Sequence, residues 1–242
     1  NTPNDRLTGV FDGVSFANYQ QHPYSISREN GVVLSLAGRR RWADTHSASF
    51  DPSYSEGSAF GAAYRGLALP GFAHHVLAAR FSALERRGPG AEPEDVGGAS
   101  GQQTSLGIFS AGTPGVFLPV RGYPEGIRTG TRAWTASLEY RFPLALVGRG
   151  WGTSAWYLDQ LAGDVFTDAG DAHCPGADAR GVAPNGFLCS PAGSRPVVGS
   201  GAELVVDGRA IVPTTIRLRA GIGFPVSEGG GARGWVTIGS AF

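Results

Sequence analysis

Hydrophobic and polar residues alternate along most of this chain with a period of two, rather than the period of 3.6 that marks a helix. The clearest stretch runs from 132 to 144. Trp134, Ala136, Leu138, Tyr140 and Phe142 fall on one face, and Ala133, Thr135, Ser137, Glu139 and Arg141 on the other. Later, Ile216, Leu218, Ala220, Ile222 and Phe224 alternate with Thr215, Arg217, Arg219, Gly221 and Gly223. Leu77, Ala79, Phe81 and Ala83 alternate with Ala78, Arg80, Ser82 and Leu84, and Val32, Leu34 and Leu36 with Val33, Ser35 and Ala37. The pattern predicts strands at 7–18, 31–43, 57–69, 74–86, 131–143, 152–167, 200–207, 211–224 and 234–242. Residues 103–109 add a possible short β segment. The predicted class is all-β and antiparallel, with residues 1–242 as one domain.

Alternation suits a soluble sandwich as well as a transmembrane β-barrel. Three features favour the barrel. Aromatic residues (Trp134, Tyr140, Phe142, Trp151, Trp156 and Trp235) stand near strand ends, where membrane barrels carry their girdles. The polar faces carry Arg and Glu in mid-strand, which suits a wet lumen better than a dry core. Connections also alternate in length. Short ones are expected near Pro70–Ala73, Ala145–Arg149 and Asp207–Arg209, and long ones at about 87–130 and 169–199. Short turns at one end and long loops at the other is the outer-membrane pattern. Single-chain bacterial barrels have an even number of strands, and an open sheet edge is not tolerated in lipid. A strand count of about nine therefore predicts either one strand more than the pattern reveals or further strands upstream of this sequence.

Composition changes this picture little. Net charge is +0, so a strongly basic nucleic-acid surface is not implied, and no nucleic-acid partner is expected. All 20 basic residues are Arg. The 38 Gly and 16 Pro, without a collagen period, point to many short strands and turns. No Met is present, so Asn1 is not an initiator residue; a removed leader or a chain continuing upstream is expected. No apolar run reaches the length of a membrane helix. Cys174 and Cys189 are the only cysteines and flank a polar stretch rich in Pro and Gly, which predicts one local disulfide in an exported loop.

The order of motifs from Phe117 onward resembles the bacterial surface-antigen barrel family, the superfamily of BamA, TamA and two-partner secretion pores. Val120-Arg121-Gly122-Tyr123 resembles that family's Val-Arg-Gly-aromatic loop motif, and Ala136-Ser137-Leu138-Glu139-Tyr140-Arg141-Phe142-Pro143 resembles its following strand. Phe166-Thr167-Asp168-Ala169-Gly170 resembles its Phe-x-Asp-x-Gly motif, and Arg217 to Val226 with the terminal Phe242 resemble its last two strands. Tyr24-Ser25-Ile26-Ser27 and His74-His75-Val76-Leu77 fit more loosely. Specific motifs cover about half the chain. The resemblance implies a barrel of about sixteen strands, of which this chain carries roughly the last nine, and an arginine loop folded into the lumen.

On that reading Arg121, in a loop freed to turn by Gly122, enters the lumen and bonds Asp168, Glu139 or both, because a planar guanidinium can serve two carboxylates. The alternative is an exposed loop arginine and two ordinary carboxylates. Val236, Ile238 and Phe242 share one face of a final strand and are read as an assembly signal. The expected setting is the bacterial outer membrane, with Phe242 periplasmic and the long loops extracellular. Lipid and lipopolysaccharide, upstream barrel strands or another envelope chain are the expected partners.

Other candidates carry less. His74 and His75 are adjacent, so in a strand they point apart. Asp164, Asp168 and Asp171 lack calcium-loop spacing. Gly229-Gly230-Gly231 lacks the context of a phosphate cradle. Arg39-Arg40-Arg41 reads as a solvated rim, with lipopolysaccharide contact as the alternative. No Gly-x-Ser-x-Gly elbow is present, and no enzyme activity, metal or cofactor is expected. The functional expectation is a protein insertion or translocation barrel; the alternative is a structural anchor for a surface domain or envelope assembly.

Overall fold

The computed structural model describes residues 7–43, 51–99, 118–150, 152–153, 156–191, 193, 195–210, 215–227 and 230–240. The strands, in chain order, are β1 (Leu7–Ala17), β2 (Gly31–Ala43), β3 (Tyr54–Leu67), β4 (His75–Arg87), β5 (Glu94–Val96), β6 (Arg128–Gly130), β7 (Arg132–Gly150), β8 (Trp156–His173), β9 (Val197–Ala210), β10 (Thr215–Pro225) and β11 (Arg233–Ser240). Among the described residues there is no helix. Nine strands form one antiparallel sheet in the order β1-β2-β3-β4-β7-β8-β9-β10-β11, and β5 pairs with β6 as a separate ribbon. Every neighbour in the large sheet except the β4–β7 pair is also the next strand in sequence, so the sheet is a meander interrupted once by the segment 88–131.

The antiparallel order puts the connections 18–30 and 68–74 at one end of the sheet, and 88–131 and 174–196 at the other. Among the described residues β1 pairs only with β2, and β11 only with β10.

Cross-strand register explains the alternation. On one face, Phe16 lies opposite Leu34, Val14 opposite Leu36, Gly61 opposite Phe81, Leu77 opposite Tyr140, and Leu218 opposite Ile238. The large side chains of this face stay exposed, including Leu34, Phe81, Leu138, Val165, Leu204 and Val236. The other face, called the inner face below, is covered over the middle strands, whereas β1 is exposed on both sides. At one end the inner face packs Leu84, Ala133, Ala172 and Val197 against Val96, Leu118, Val120 and Tyr123 from the long connection. Nearer the other end, Ala62, Tyr64, Val76 and Ala78 form a second buried cluster that Tyr19 and Val33 flank. Removing one of the Leu or Val side chains among them from water stabilises by roughly 1.5–3 kcal/mol. The segment 118–123 is therefore anchored by apolar burial before its charge is considered.

Several expected boundaries move. Ala145–Arg149 is not a turn: β7 runs on to Gly150, with register shifts between Pro143 and Ala145 and between Leu146 and Arg149. A proline gives the ladder no N–H, and the shift after it is how the sheet accommodates that loss. Asp207–Arg209 is not a turn either. It belongs to β9, and Asp207 is buried where it accepts hydrogen bonds from Arg217 and Gln160. The loop expected at 169–199 is shorter, because β8 extends to His173 and β9 begins at Val197. The loop expected at 87–130 contains the β5–β6 ribbon. The expected segment 103–109 lies outside the described residues, as do Trp151 and Phe242.

Candidate functional site

Arg121 lies in the connection between β5 and β6 and reaches back into the inner face, where it is only 3% exposed. Two local features let it do so. Gly122 has φ +95°, a conformation that side chains with a Cβ rarely adopt, and its backbone lies against that of Phe224. Across the contact, a Cβ on Gly199 would stand 2.0 Å from the Arg121 carbonyl oxygen, so only glycine lets the loop lie flat on the sheet. Gly170 plays a similar part, since a Cβ there would meet the Val120 and Thr135 side chains at 2.8 Å. Tyr123 pins the far side of the turn by donating from its hydroxyl to the Val198 carbonyl at 3.0 Å.

The guanidinium meets Asp168 as a fork. Nε donates to Oδ2 at 2.7 Å and Nη2 to Oδ1 at 2.8 Å, and the Arg121 backbone N–H adds a third bond to Oδ2 at 3.0 Å. Nη2 also donates to Glu139 Oε1 at 2.7 Å and to Ser137 Oγ at 3.1 Å. Nη1 faces Glu203 at 3.3 Å and Asp164 at 3.9 Å. The plane lies over the ring of Phe166, 3.6 Å from its centroid, which is cation–π distance. Burial pulls the Arg121 pKa down, but the Asp168 hydrogen bond and the charges of Glu139, Asp168 and Glu203 outweigh it and hold the group well above its ordinary value. Arg121 stays charged.

The four carboxylates Glu139, Asp164, Asp168 and Glu203 are all buried. Asp164 and Glu203 stand directly opposite each other on β8 and β9, a like-charge pair that destabilises a sheet unless a cation answers it. Arg121 from the loop and Arg219 from β10 do so, and Arg80 of β4 and Arg141 of β7 complete the cluster around Glu139. Arg80 and Arg141 bond Glu139, and Arg219 bonds Glu203. Trp235 of β11 donates from Nε1 to Glu203 at 3.0 Å and tilts against Phe166. The four arginines and four carboxylates match in number, but Asp164 has its nearest cations only at 3.7 and 3.9 Å and no hydrogen-bond donor on either oxygen.

The structure thus brings together Arg121, Glu139 and Asp168, with Gly122 and Tyr123 shaping the turn and Gly170 leaving room beneath Val120. Asp168 sits inside β8 rather than at its end as expected. The sequence reading did not single out Asp164, Glu203 or the three strand arginines as parts of the cluster. Their inward parity was visible, but their mutual register was not. Val236 and Ile238 are exposed on the outer face of β11, and Phe242, expected to join them, lies outside the described residues. Cys174 and Cys189 form a disulfide that closes a 15-residue separation in the connection between β8 and β9. His74 bonds Glu29 and His75 bonds Tyr140, so the two rings serve different partners. Asp171 faces Arg128 at 3.7 Å, away from Asp164 and Asp168. Arg39 lies over Phe11 and Arg41 over Tyr54, whereas Arg40 points to the exposed side. No protein-family model and no curated protein matches the chain.

Proposed function

We propose that this chain is part of an outer-membrane β-barrel of the BamA-type insertion and translocation superfamily, with the segment 118–127 as its inward-folded loop. The observation that carries the reading is the bonding of Arg121 to Asp168 and Glu139, one residue from each of three segments that carry the resemblance. The exposed apolar face supports a lipid setting, since soluble monomers rarely leave large contiguous apolar patches uncovered. In lipid the outer edges of β1 and β11 need partners, because unpaired backbone groups are too costly there. The sheet then belongs to a larger closed wall, completed by further strands of the same protein or of another envelope chain. The end with the connections 88–131 and 174–196 faces outside, and the end with 18–30 and 68–74 faces the periplasm. Lipid and lipopolysaccharide are the surrounding partners.

In this setting the loop occupies the lumen and fixes which strands can part. The test is reconstitution of the protein, purified from its native membrane, in liposomes, with the integration rate of an unfolded barrel substrate as the readout. Faster integration than in empty liposomes, lost in Arg121→Ala, is the expected result. No acceleration by the native protein would transfer the argument to a structural anchor for a surface domain or envelope assembly. One observation favours that second reading: the inner face is filled from both ends, by the arginine loop and by the 18–30 connection, whose Ile26 carbonyl accepts from Arg217 at 3.3 Å.

A further inference from the structure

Between the Arg121 cluster and the 18–30 connection, the inner face holds a partly open cavity of about 170 Å³. Five arginines line it, Arg28, Arg80, Arg141, Arg217 and Arg219, together with a single carboxylate, Asp164. The strand arginines spend part of their donor capacity on Glu139, Glu203 and Asp207. The Nε groups of Arg80 and Arg219 are nevertheless buried without an acceptor. Arg28 rests on the face of Tyr19, 4.4 Å from its centroid, and has no carboxylate partner among the described residues. Asp164 has the opposite deficit. Its side chain is 1% exposed, both of its oxygens lack a donor, and its nearest cations, Arg219 and Arg121, stand at 3.7 and 3.9 Å.

Buried donors and acceptors are rarely left unmade. A ligand that completes this wall has to accept from several guanidinium groups and also give one hydrogen bond to Asp164. A fully ionised oxyanion satisfies the first demand only, and sets its own charge against the carboxylate. An oxyanion that keeps a proton satisfies both. Phosphate and its monoesters have oxygens that match guanidinium forks; inorganic phosphate keeps a P–OH on both sides of its second ionisation, and a monoester keeps one on part of the population near neutral pH.

We propose that this cavity binds a protonated phosphate, either inorganic phosphate or the phosphomonoester of a small headgroup. Arg28, Arg80 and Arg219 donate to its oxygens, and Asp164 accepts its P–OH hydrogen. The site stands whether or not the sheet lies in a membrane, so its failure and that of the translocation reading are separable.

Calorimetric titration of the full protein in detergent tests it, with inorganic phosphate as ligand and sulfate as the comparison. Saturable one-to-one phosphate binding is expected, with sulfate weaker by about tenfold or more, as one lost charge-assisted hydrogen bond implies. Asp164→Asn should abolish that preference, and Arg28→Gln should weaken both anions. Arg28 lies on a partly exposed connection outside the strand ion pairs, so this second variant decides the matter if Asp164→Asn fails to fold. Vesicles containing phosphatidic acid identify the source: displacement of bound phosphate points to a headgroup and retention to a free solute, and either outcome keeps the site. Absence of saturable phosphate binding, equal affinity for sulfate, or binding untouched by Arg28→Gln overturns the proposal.

Discussion

Arg121 serves Asp168, Glu139 and Glu203 through one planar group, so the cost of deleting it is set by the charges it leaves behind. Arg121→Ala is expected to destabilise the folded state by about 3–5 kcal/mol, the range for a buried ion pair broken on one side. Denaturant unfolding in detergent measures it. Arg121→Lys restores the charge but not the fork, and should recover only part of the loss. A smaller, purely backbone effect is expected at Gly122. Its φ of +95° and its contact with Phe224 make Gly122→Ala cost about 1–3 kcal/mol, with no change in charge. If Gly122→Ala unfolds at the same denaturant concentration as the native protein, the loop is not seated as described.

At the scale of the element, the disulfide offers the cleanest test. Cross-linking a loop of 15 residues contributes roughly 3 kcal/mol by restricting the unfolded chain. Cys174→Ser with Cys189→Ser should therefore lower stability by up to that amount, and open the 174–189 segment to protease while the sheet stays intact. The same scale separates what the sequence made legible from what it hid. β2 could be read to its ends, because Val32, Leu34 and Leu36 alternate with Val33, Ser35 and Ala37 and Trp42 resumes the same face after Arg40. β7 could not. Pro143 is a strong stop signal, yet Leu144 and Leu146 continue the exposed face beyond it, and a register shift absorbs the missing N–H. Asp207-Gly208 carries a familiar hairpin signature, but Arg217 and Gln160 claim the aspartate and keep it in the strand. Arg121, Glu139 and Asp168 stood out as local motifs. Asp164 and Glu203 did not, because what makes them partners is a cross-strand register between β8 and β9 that no local motif announces.

At the scale of the molecule, the outer face decides what kind of solvent the sheet meets. Leu138 is 59% exposed and lies mid-strand. Leu138→Arg is expected to cost roughly 2–4 kcal/mol when the protein folds into lipid, as for a charge near the bilayer midplane. At an ordinary water-facing position the change stays within about 0.5 kcal/mol. Folding titrations in vesicles distinguish the two, and the smaller value would count against a lipid-facing sheet. The opposed carboxylates of β8 and β9 carry a consequence of another kind, one of timing. A β8–β9 hairpin that zips up alone presses Asp164 against Glu203 with no cation between them, so the hairpin cannot be an early, self-sufficient nucleus. It closes stably only once β10 delivers Arg219 and the loop delivers Arg121. Glu203→Gln should consequently speed the refolding of an Arg121→Ala protein. The last stretch of sheet to be committed is then the one nearest the loop, and the chain assembles by waiting for charge.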